Sequence, residues 1–328
     1  MALRVVFLGN SQGVFSNRFF QAFVEASCQI VGVVDVPPAG RTSTNTRSQD
    51  GNADFVEMAR QGGVPAFEPS NPNVPEFVGL MRKLEPDLLA AVGYLCRLKE
   101  PVLSVPRLAP VNFHASPLPA YRGKHPVFWA LRNGESWSGL TIHMMDSGLD
   151  TGDILYQAKV RTRKGDTVSS LYDRIMDHSV RLVPRLVQDA EYGRLNPRAQ
   201  PESGASYYSS VDIEDFRLDW SWPAELLRRL IHTSPGQCFC DWAGQRLFFA
   251  DAEVVPEESD VSPGVLVRLG RTGGTVKAGQ YAVRLRRVKM GQADERSMSQ
   301  VCRGLGLHVG DCLAGTPPVQ AVVPQKGV

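Results

Sequence analysis

Asn112 and His114 stand two apart in the segment Val111-Asn112-Phe113-His114, and in an extended chain residues i and i+2 project on one face. An amide beside an imidazole suits a carbonyl oxygen that gathers charge as its carbon becomes tetrahedral. Taken alone, the pair reads equally well as a hydrogen-bonded cap on a buried strand. A second stretch, HMMDSGLDTGDILYQ, gathers Asp146, Asp150 and Asp153 around Gly148 and Gly152 in one loop. A carboxylate there that reached His114 would orient the ring, favour the imidazolium and help draw a proton from an attacking nucleophile, directly or through a water. Asp153 and Asp146 read better as side chains closing Asx turns beside the glycines. The histidines offer neither an HxH nor an HExxH spacing, and Cys238 and Cys240 read as packing partners on a strand, so no metal site is expected.

The elements around these stretches must bring them together. Residues 3–9 (LRVVFLG) are a β-branched run ending in Gly9, and Phe15, Phe19 and Phe23 then recur every four residues, as on the buried side of a helix. The unit repeats: 29–34 reads as a strand, 54–61 and 75–84 as helices, 87–92 and 110–114 as further buried strands. Strands alternating with helices imply a doubly wound, mostly parallel α/β sheet. Its ligands sit at the C-terminal strand ends, where Asn112 and His114 fall. A Pro- and Gly-rich loop (SPLPAYRGKHP), a helix at 127–132 and strands at 140–145 and 153–160 follow. A long helix opened by Asp166 comes next, with Pro184 expected to kink its last turns.

From Asn196 to Tyr207 apolar periodicity lapses and Pro, Gly and Ser collect, the composition of a linker. The chain is thus divided into a first domain at 1–195, a linker at 196–207, a second domain at 208–314 and a flexible tail at 315–328. In the second domain Ser221-Trp222-Pro223 is expected to cap a helix bearing Leu226, Leu227, Leu230 and Ile231. Strands at 245–249, 264–269, 274–277 and 281–288 are expected to form a small barrel or sandwich. With 328 residues and a net charge of +2, the chain can bury two cores and has no global field favouring nucleic acid or an anionic membrane. Six cysteines without a CxxC pair, and an N-terminal apolar run too short for a signal or a membrane span, point to a reducing cytoplasm. Nothing in the sequence sets the oligomeric state.

The runs NFHASPLPAYRG, WALRNGE, GLTIHMMDSGLDTGDILYQ and RLDWSWPAELLRRLI, spread over nearly the whole chain, closely resemble the methionyl-tRNA formyltransferase family and its sugar N-formyltransferase relatives. The resemblance implies a Rossmann-like catalytic domain followed by a small OB-like barrel. It implies that Asn112, His114 and Asp150 are the catalytic amide, imidazole and carboxylate, Asp150 being the aspartate directly before Thr-Gly. It implies 10-formyltetrahydrofolate as the formyl donor. The pterin would lie between Val92, Gly93, Tyr94 and Leu95 on one side and Asp146, Ser147 and Gly148 on the other. Arg41, Ser116, Pro117 and Arg122 would face the acceptor.

The acceptor side departs from that family. Where most tRNA formyltransferases read SLLPRWRGAAP, this chain has SPLPAYRGKHP, with Lys124-His125 in place of two alanines. Their DRPAGRGKK-like loop survives only as Pro38-Ala39-Gly40-Arg41, with Arg47 the other remaining charge. From residue 201 on, 14 Lys/Arg face 15 Asp/Glu, so the second domain is not basic. Its strip Arg284, Arg286, Arg287, Lys289 alternates faces as on a solvated edge strand. A small-molecule amine, such as a nucleotide-linked amino sugar or a natural-product amine, is therefore the favoured acceptor and initiator Met-tRNA the alternative. Two other classes are weighed. Gly9, Gly13 and Asp35 could mark an NAD-dependent oxidoreductase, but the loop is GxxxG rather than GxGxxG and bulky Phe15 and Phe19 follow. A non-catalytic amine- or tRNA-binding module has no need of Asn112, His114 and Asp150 together.

Overall fold

The computed structural model describes residues 2–37, 54–257, 259–271, 273–291 and 294–313. They fall into two compact units, one drawn from residues up to 126, 137–161 and 172–208, the other from 127–136, 162–171 and the described residues beyond 208.

The strands of the first unit are β1 (Arg4–Gly9), β2 (Gln29–Asp35), β3 (Ala66–Phe67), β4 (Leu88–Val92), β5 (Ala109–His114), the two-residue β6 (Arg122–Gly123), β7 (Trp137–Met144), β8 (Ile154–Arg161) and the two-residue β9 (Tyr207–Tyr208). Seven of them form one sheet in the order β3-β2-β1-β4-β5-β7-β8. The five from β3 to β5 run parallel, and β7 and β8 add an antiparallel hairpin at one edge.

Alternation along β1 produces the two covered faces. Phe7 turns one way and meets Phe20 and Phe23 of α1 (Val14–Glu25) and Phe55 of α2 (Phe55–Gln61) edge-on, with ring centroids 5.2 to 6.0 Å apart. Val6 and Leu8 turn the other way, into a cluster with Phe77, Val78 and Met81 of α3 (Pro75–Lys83) and Val102 and Leu103 of α4 (Glu100–Leu103). Each phenyl so buried contributes roughly 1.5–3 kcal/mol. Phe15, Phe19 and Phe23 are all buried, as their four-residue spacing requires. The doubly wound, mostly parallel sheet expected from the sequence is present.

In the second unit most of α5 (Pro126–Asn133) lies with the C-terminal residues. The long helix expected after Asp166 is in fact two, α6 (Val168–Ser179) and α7 (Leu182–Glu191). Pro184 has no N–H to give the Val180 carbonyl, and Val183 bonds to that carbonyl instead at 3.0 Å, so the break falls before the proline rather than beyond it.

In α8 (Ala224–Thr233) Leu227, Leu230 and Ile231 are buried, while Leu226 is only half-buried. Ser221 does not cap the helix. Its hydroxyl bonds to Asp219 at 2.6 Å, and Pro223 holds the N-cap position.

Short antiparallel strands follow: β10 (Cys238–Trp242), β11 (Gln245–Phe249), β12 (Ala252–Val255), β13 (Leu266–Leu269), β14 (Gly274–Lys277), β15 (Ala282–Leu285), β16 (Arg287–Met290) and β17 (Arg296–Ser297). They form two four-stranded sheets, β10-β11-β16-β17 and β12-β15-β14-β13. The single strand expected at 281–288 is split at Arg286, where the chain leaves one sheet for the other and the Arg286 carbonyl accepts the Met298 N–H at 2.8 Å. α9 (Met298–Leu305), which the sequence reading did not place, opens on a capping box between Ser297 and Gln300. Among the described residues no helix is long and apolar enough to cross a membrane.

Candidate active site

Strand β5 carries the pair at its end. Asn112 lies opposite His143 of β7 in the antiparallel register, so two polar side chains from neighbouring strands face each other on an otherwise apolar sheet. His114 follows two residues later and is 7% exposed. The loop after β7 returns Asp150 to the same place, with its carboxylate 9% exposed.

The four groups meet within hydrogen-bonding or ion-pair range. Asn112 Nδ2 donates to Asp150 Oδ1 at 3.3 Å and to His143 Nε2 at 3.1 Å. His114 Nδ1 lies 3.6 Å from Asp150 Oδ2, and His143 Nε2 3.6 Å from Asp150 Oδ1. The Gly123 N–H donates to Asp150 Oδ2 at 2.8 Å. Gly123 itself adopts φ +101°, and a Cβ there would stand 2.2 Å from the Tyr208 carbonyl oxygen. Only glycine lets this backbone pass between β9 and the carboxylate.

The partners settle where the protons sit. His114 Nε2–H donates to the Tyr121 carbonyl at 2.8 Å, so in the neutral ring Nδ1, toward Asp150, carries no proton. His143 Nδ1–H donates to the Met144 carbonyl at 2.7 Å, so in the neutral ring Nε2 accepts from Asn112. Burial pushes the His114 pKa below its usual value, against the Asp150 charge and the Tyr121 carbonyl, which raise it. Burial also opposes ionisation of Asp150, yet the charge the His114 ring carries when protonated and the Gly123 N–H outweigh it and hold the carboxyl at about 2. Asp150 thus favours its ionised form, and burial favours the neutral ring of His114. The full attraction between them appears only when Nδ1 takes a proton.

The other expected residues are distributed unevenly around this cluster. Val92 ends β4, and Gly93 follows at φ +66°, where a Cβ would crowd Ser16 Oγ at 3.1 Å. The Tyr94 hydroxyl is buried with no hydrogen-bond partner among the described residues, and Leu95 is 53% exposed. Across from it, Asp146 accepts from the Gly148 N–H at 3.0 Å and from the Thr151 hydroxyl at 2.7 Å, closing the Asx turn expected of it. Leu149, which follows Gly148, is 56% exposed. Arg97, not anticipated, ties the two loops by donating to the Ser147 carbonyl at 2.6 Å. Two bridged loops that each carry an exposed leucine suit a flat, largely apolar ring.

Ser116 is buried with its hydroxyl on the Ala120 carbonyl at 2.8 Å, and Pro117 is half-buried. Arg122 is fully buried and held by Gln200, Glu202 and Tyr207. Arg41 lies outside the described residues. Asp35, weighed as a ribose contact, turns inward and accepts from the Ser11 N–H and hydroxyl at 2.9 and 2.5 Å. His143 was not singled out, although strand alternation from Ile142 and the pairing of β5 with β7 set it opposite Asn112.

A doubly wound sheet that gathers an amide, an imidazole and a carboxylate at one strand end is the framework of a group-transfer enzyme. The comparisons narrow that class. Residues 3–187 match the formyl transferase family, and residues 211–306 match the formyl transferase C-terminal domain; the chain belongs to the formyltransferase family. It is 31% identical to the methionyl-tRNA formyltransferase of Synechococcus sp. (strain JA-3-3Ab), over 94% of this chain and 97% of that protein. In fold it is similar to the N-formyltransferase from Helicobacter canadensis in complex with folinic acid and dTDP-3-aminofucose, with a TM-score of 0.64 at 14% identity, over 88% of this chain and 100% of that one. HypX from Aquifex aeolicus in complex with tetrahydrofolic acid gives a TM-score of 0.57 at 18% identity, over 92% of this chain and 47% of that one. This chain therefore spans about half the length of HypX.

Proposed function

We propose that this chain transfers a formyl group from 10-formyltetrahydrofolate to a primary amine, with Asn112, His114 and Asp150 as the catalytic residues. The observation that carries the reading is the buried Asp150 carboxylate 3.6 Å from Nδ1 of the buried His114, with the Asn112 amide 3.3 Å from the same carboxylate. The donor's pterin fits the bridged loops at 92–95 and 146–148, and when bound the donor supplies a carbon at the formyl oxidation level.

The chain's residues then have distinct tasks. Asn112 holds its shorter bond to His143 and turns the longer one, at 3.3 Å to Asp150, toward the oxygen on which charge builds. His114 accepts a proton at Nδ1 from the attacking amine, directly or through a water, keeps its Nε2–H on the Tyr121 carbonyl, and gives the proton to the donor nitrogen as the bond from that nitrogen to the formyl carbon breaks and tetrahydrofolate leaves. Asp150 remains ionised and stabilises the imidazolium that results.

For the acceptor, the favoured reading is a small amine. Arg284 and Arg286 share Glu253, and Arg287 pairs with Glu295 at 3.1 Å, so two carboxylates offset half of the four charges in the basic strip. The second reading, initiator Met-tRNA, is favoured by the Synechococcus relative, whose likeness extends over nearly the whole of both chains. Incubation of formyl-labelled 10-formyltetrahydrofolate with nucleotide-linked amino sugars and with initiator Met-tRNA separates the two. Label on the tRNA alone would overturn the small-amine reading. No label on any amine would overturn the transfer itself.

A further inference from the structure

The segment 196–207 has the composition of a linker, yet it is bonded to the loop that carries Asp150. Gln200 Nε2 donates to the Asp150 carbonyl at 2.9 Å and to the Gly152 carbonyl at 2.7 Å, gripping the backbone on both sides of Thr151. Asp150 needs such a grip, because its φ of +56° is a conformation that a non-glycine residue keeps only when its surroundings impose it.

The Gln200 amide is itself aimed. Its Oε1 accepts from Arg122 Nε at 3.2 Å and Arg122 Nη2 at 2.9 Å, which fixes the amide with its oxygen toward the guanidinium and its N–H groups toward the loop. Arg122 is fully buried, with its remaining donors on Glu202 and on the Tyr207 hydroxyl and its guanidinium 5.2 Å above the Tyr207 ring. That guanidinium is committed to protein groups. Its neighbour Gly123 gives its N–H to Asp150 Oδ2 at 2.8 Å. The two residues of β6 thus fix one aspartate twice, Gly123 at the carboxylate and Arg122, through Gln200, at the backbone.

We propose that Gln200, aimed by Arg122, is a positioning residue that sets the distance between the Asp150 carboxylate and His114. This rests on the catalytic reading of Asp150 given above. A displacement of about 1 Å at a catalytic group costs up to ~10²-fold in rate. Gln200→Met keeps the side-chain length and removes both N–H donors. Its kcat, counted per site by single-turnover release of tetrahydrofolate, is expected to fall ~10- to 100-fold, with the KM for the donor within about threefold. The acid limb of the kcat profile should move to lower pH, since the Asp150 charge that raises the His114 pKa is no longer held in place. A merely structural role would lower the melting temperature and leave kcat per active site and the acid limb where they were, and that result overturns the proposal. If Gln200→Met does not fold, Gln200→Glu retains an acceptor for Arg122, still lacks the donors, and is read by its loss of kcat alone. Asp150→Asn is measured alongside. If it collapses while the Gln200 variants keep wild-type kcat, the brace alone is refuted; if it stays active, the catalytic reading falls and the brace with it.

Discussion

Asp150→Asn removes a charge while keeping an oxygen to accept the Gly123 N–H, so its effect is mainly electrostatic. Two unit charges at the 3.6 Å that separates Asp150 Oδ2 from His114 Nδ1 attract by roughly 4–5 kcal/mol at an effective dielectric near 20. The depressed Asp150 carboxyl shows in the same direction that attraction to its partners outweighs burial. With part of that attraction offset by relaxation around the new amide, the imidazolium loses enough stabilisation to slow turnover by ~10²- to 10³-fold. The same charge raises the His114 pKa, so its loss should also carry the acid limb of kcat to lower pH. The assay is stopped-flow release of tetrahydrofolate from 10-formyltetrahydrofolate at saturating acceptor, repeated across the pH range around neutrality. A loss of less than about fivefold with an unmoved acid limb would refute the reasoning.

Other perturbations test separate parts of the account. Asn112→Ala should lower kcat by ~10²- to 10³-fold with donor affinity, measured by fluorescence titration, within about threefold of wild type. His143→Phe leaves one Asn112 N–H without its acceptor and should cost ~10-fold in kcat, a smaller loss than at Asn112 itself. Gly123→Ala puts a Cβ 2.2 Å from the Tyr208 oxygen, so a lower melting temperature and a slower kcat are expected together. Stability should depend on acid in two windows. His114 has a folded pKa below its unfolded one, so the unfolded chain gains protons first and urea-derived stability should decline as pH falls below ~6.5. Asp150 has a depressed folded pKa, so its contribution is complete above ~4 and is lost as pH drops toward its folded value of about 2. His114→Gln should flatten the first decline and weaken the second, since the His114 ring is among the groups that hold Asp150 down.

The sheet was legible because its signals are local. The run before Gly9, the four-residue phenylalanine spacing and the uninterrupted apolar run at 88–92 each encode one element with its buried side. The pair Asn112 and His114 was legible for the same reason, since strand alternation alone sets both on one face. What escaped is nonlocal or very short. His143 gains meaning only when β7 is known to lie antiparallel beside β5, and β6 and β9 are two residues each, too brief for any period. Residues 196–207 read as a linker because their order comes from side-chain bonds such as those of Gln200 to Asp150 and Gly152, which leave no apolar pattern. The break at Arg286 is hidden likewise. The alternation of 281–288 is that of one strand, and the turn into a second sheet is made by backbone bonds to Asp251 and Met298.

Transfer of labelled formyl from 10-formyltetrahydrofolate to an amine, compared across wild type, Asn112→Ala, His114→Ala and Asp150→Asn with donor binding measured on the same samples, tests the central claim most directly. The account predicts transfer by wild type and its near loss in all three variants while each still binds the donor. Transfer by His114→Ala at the wild-type rate, or a wild-type protein that does not bind the donor, would contradict it.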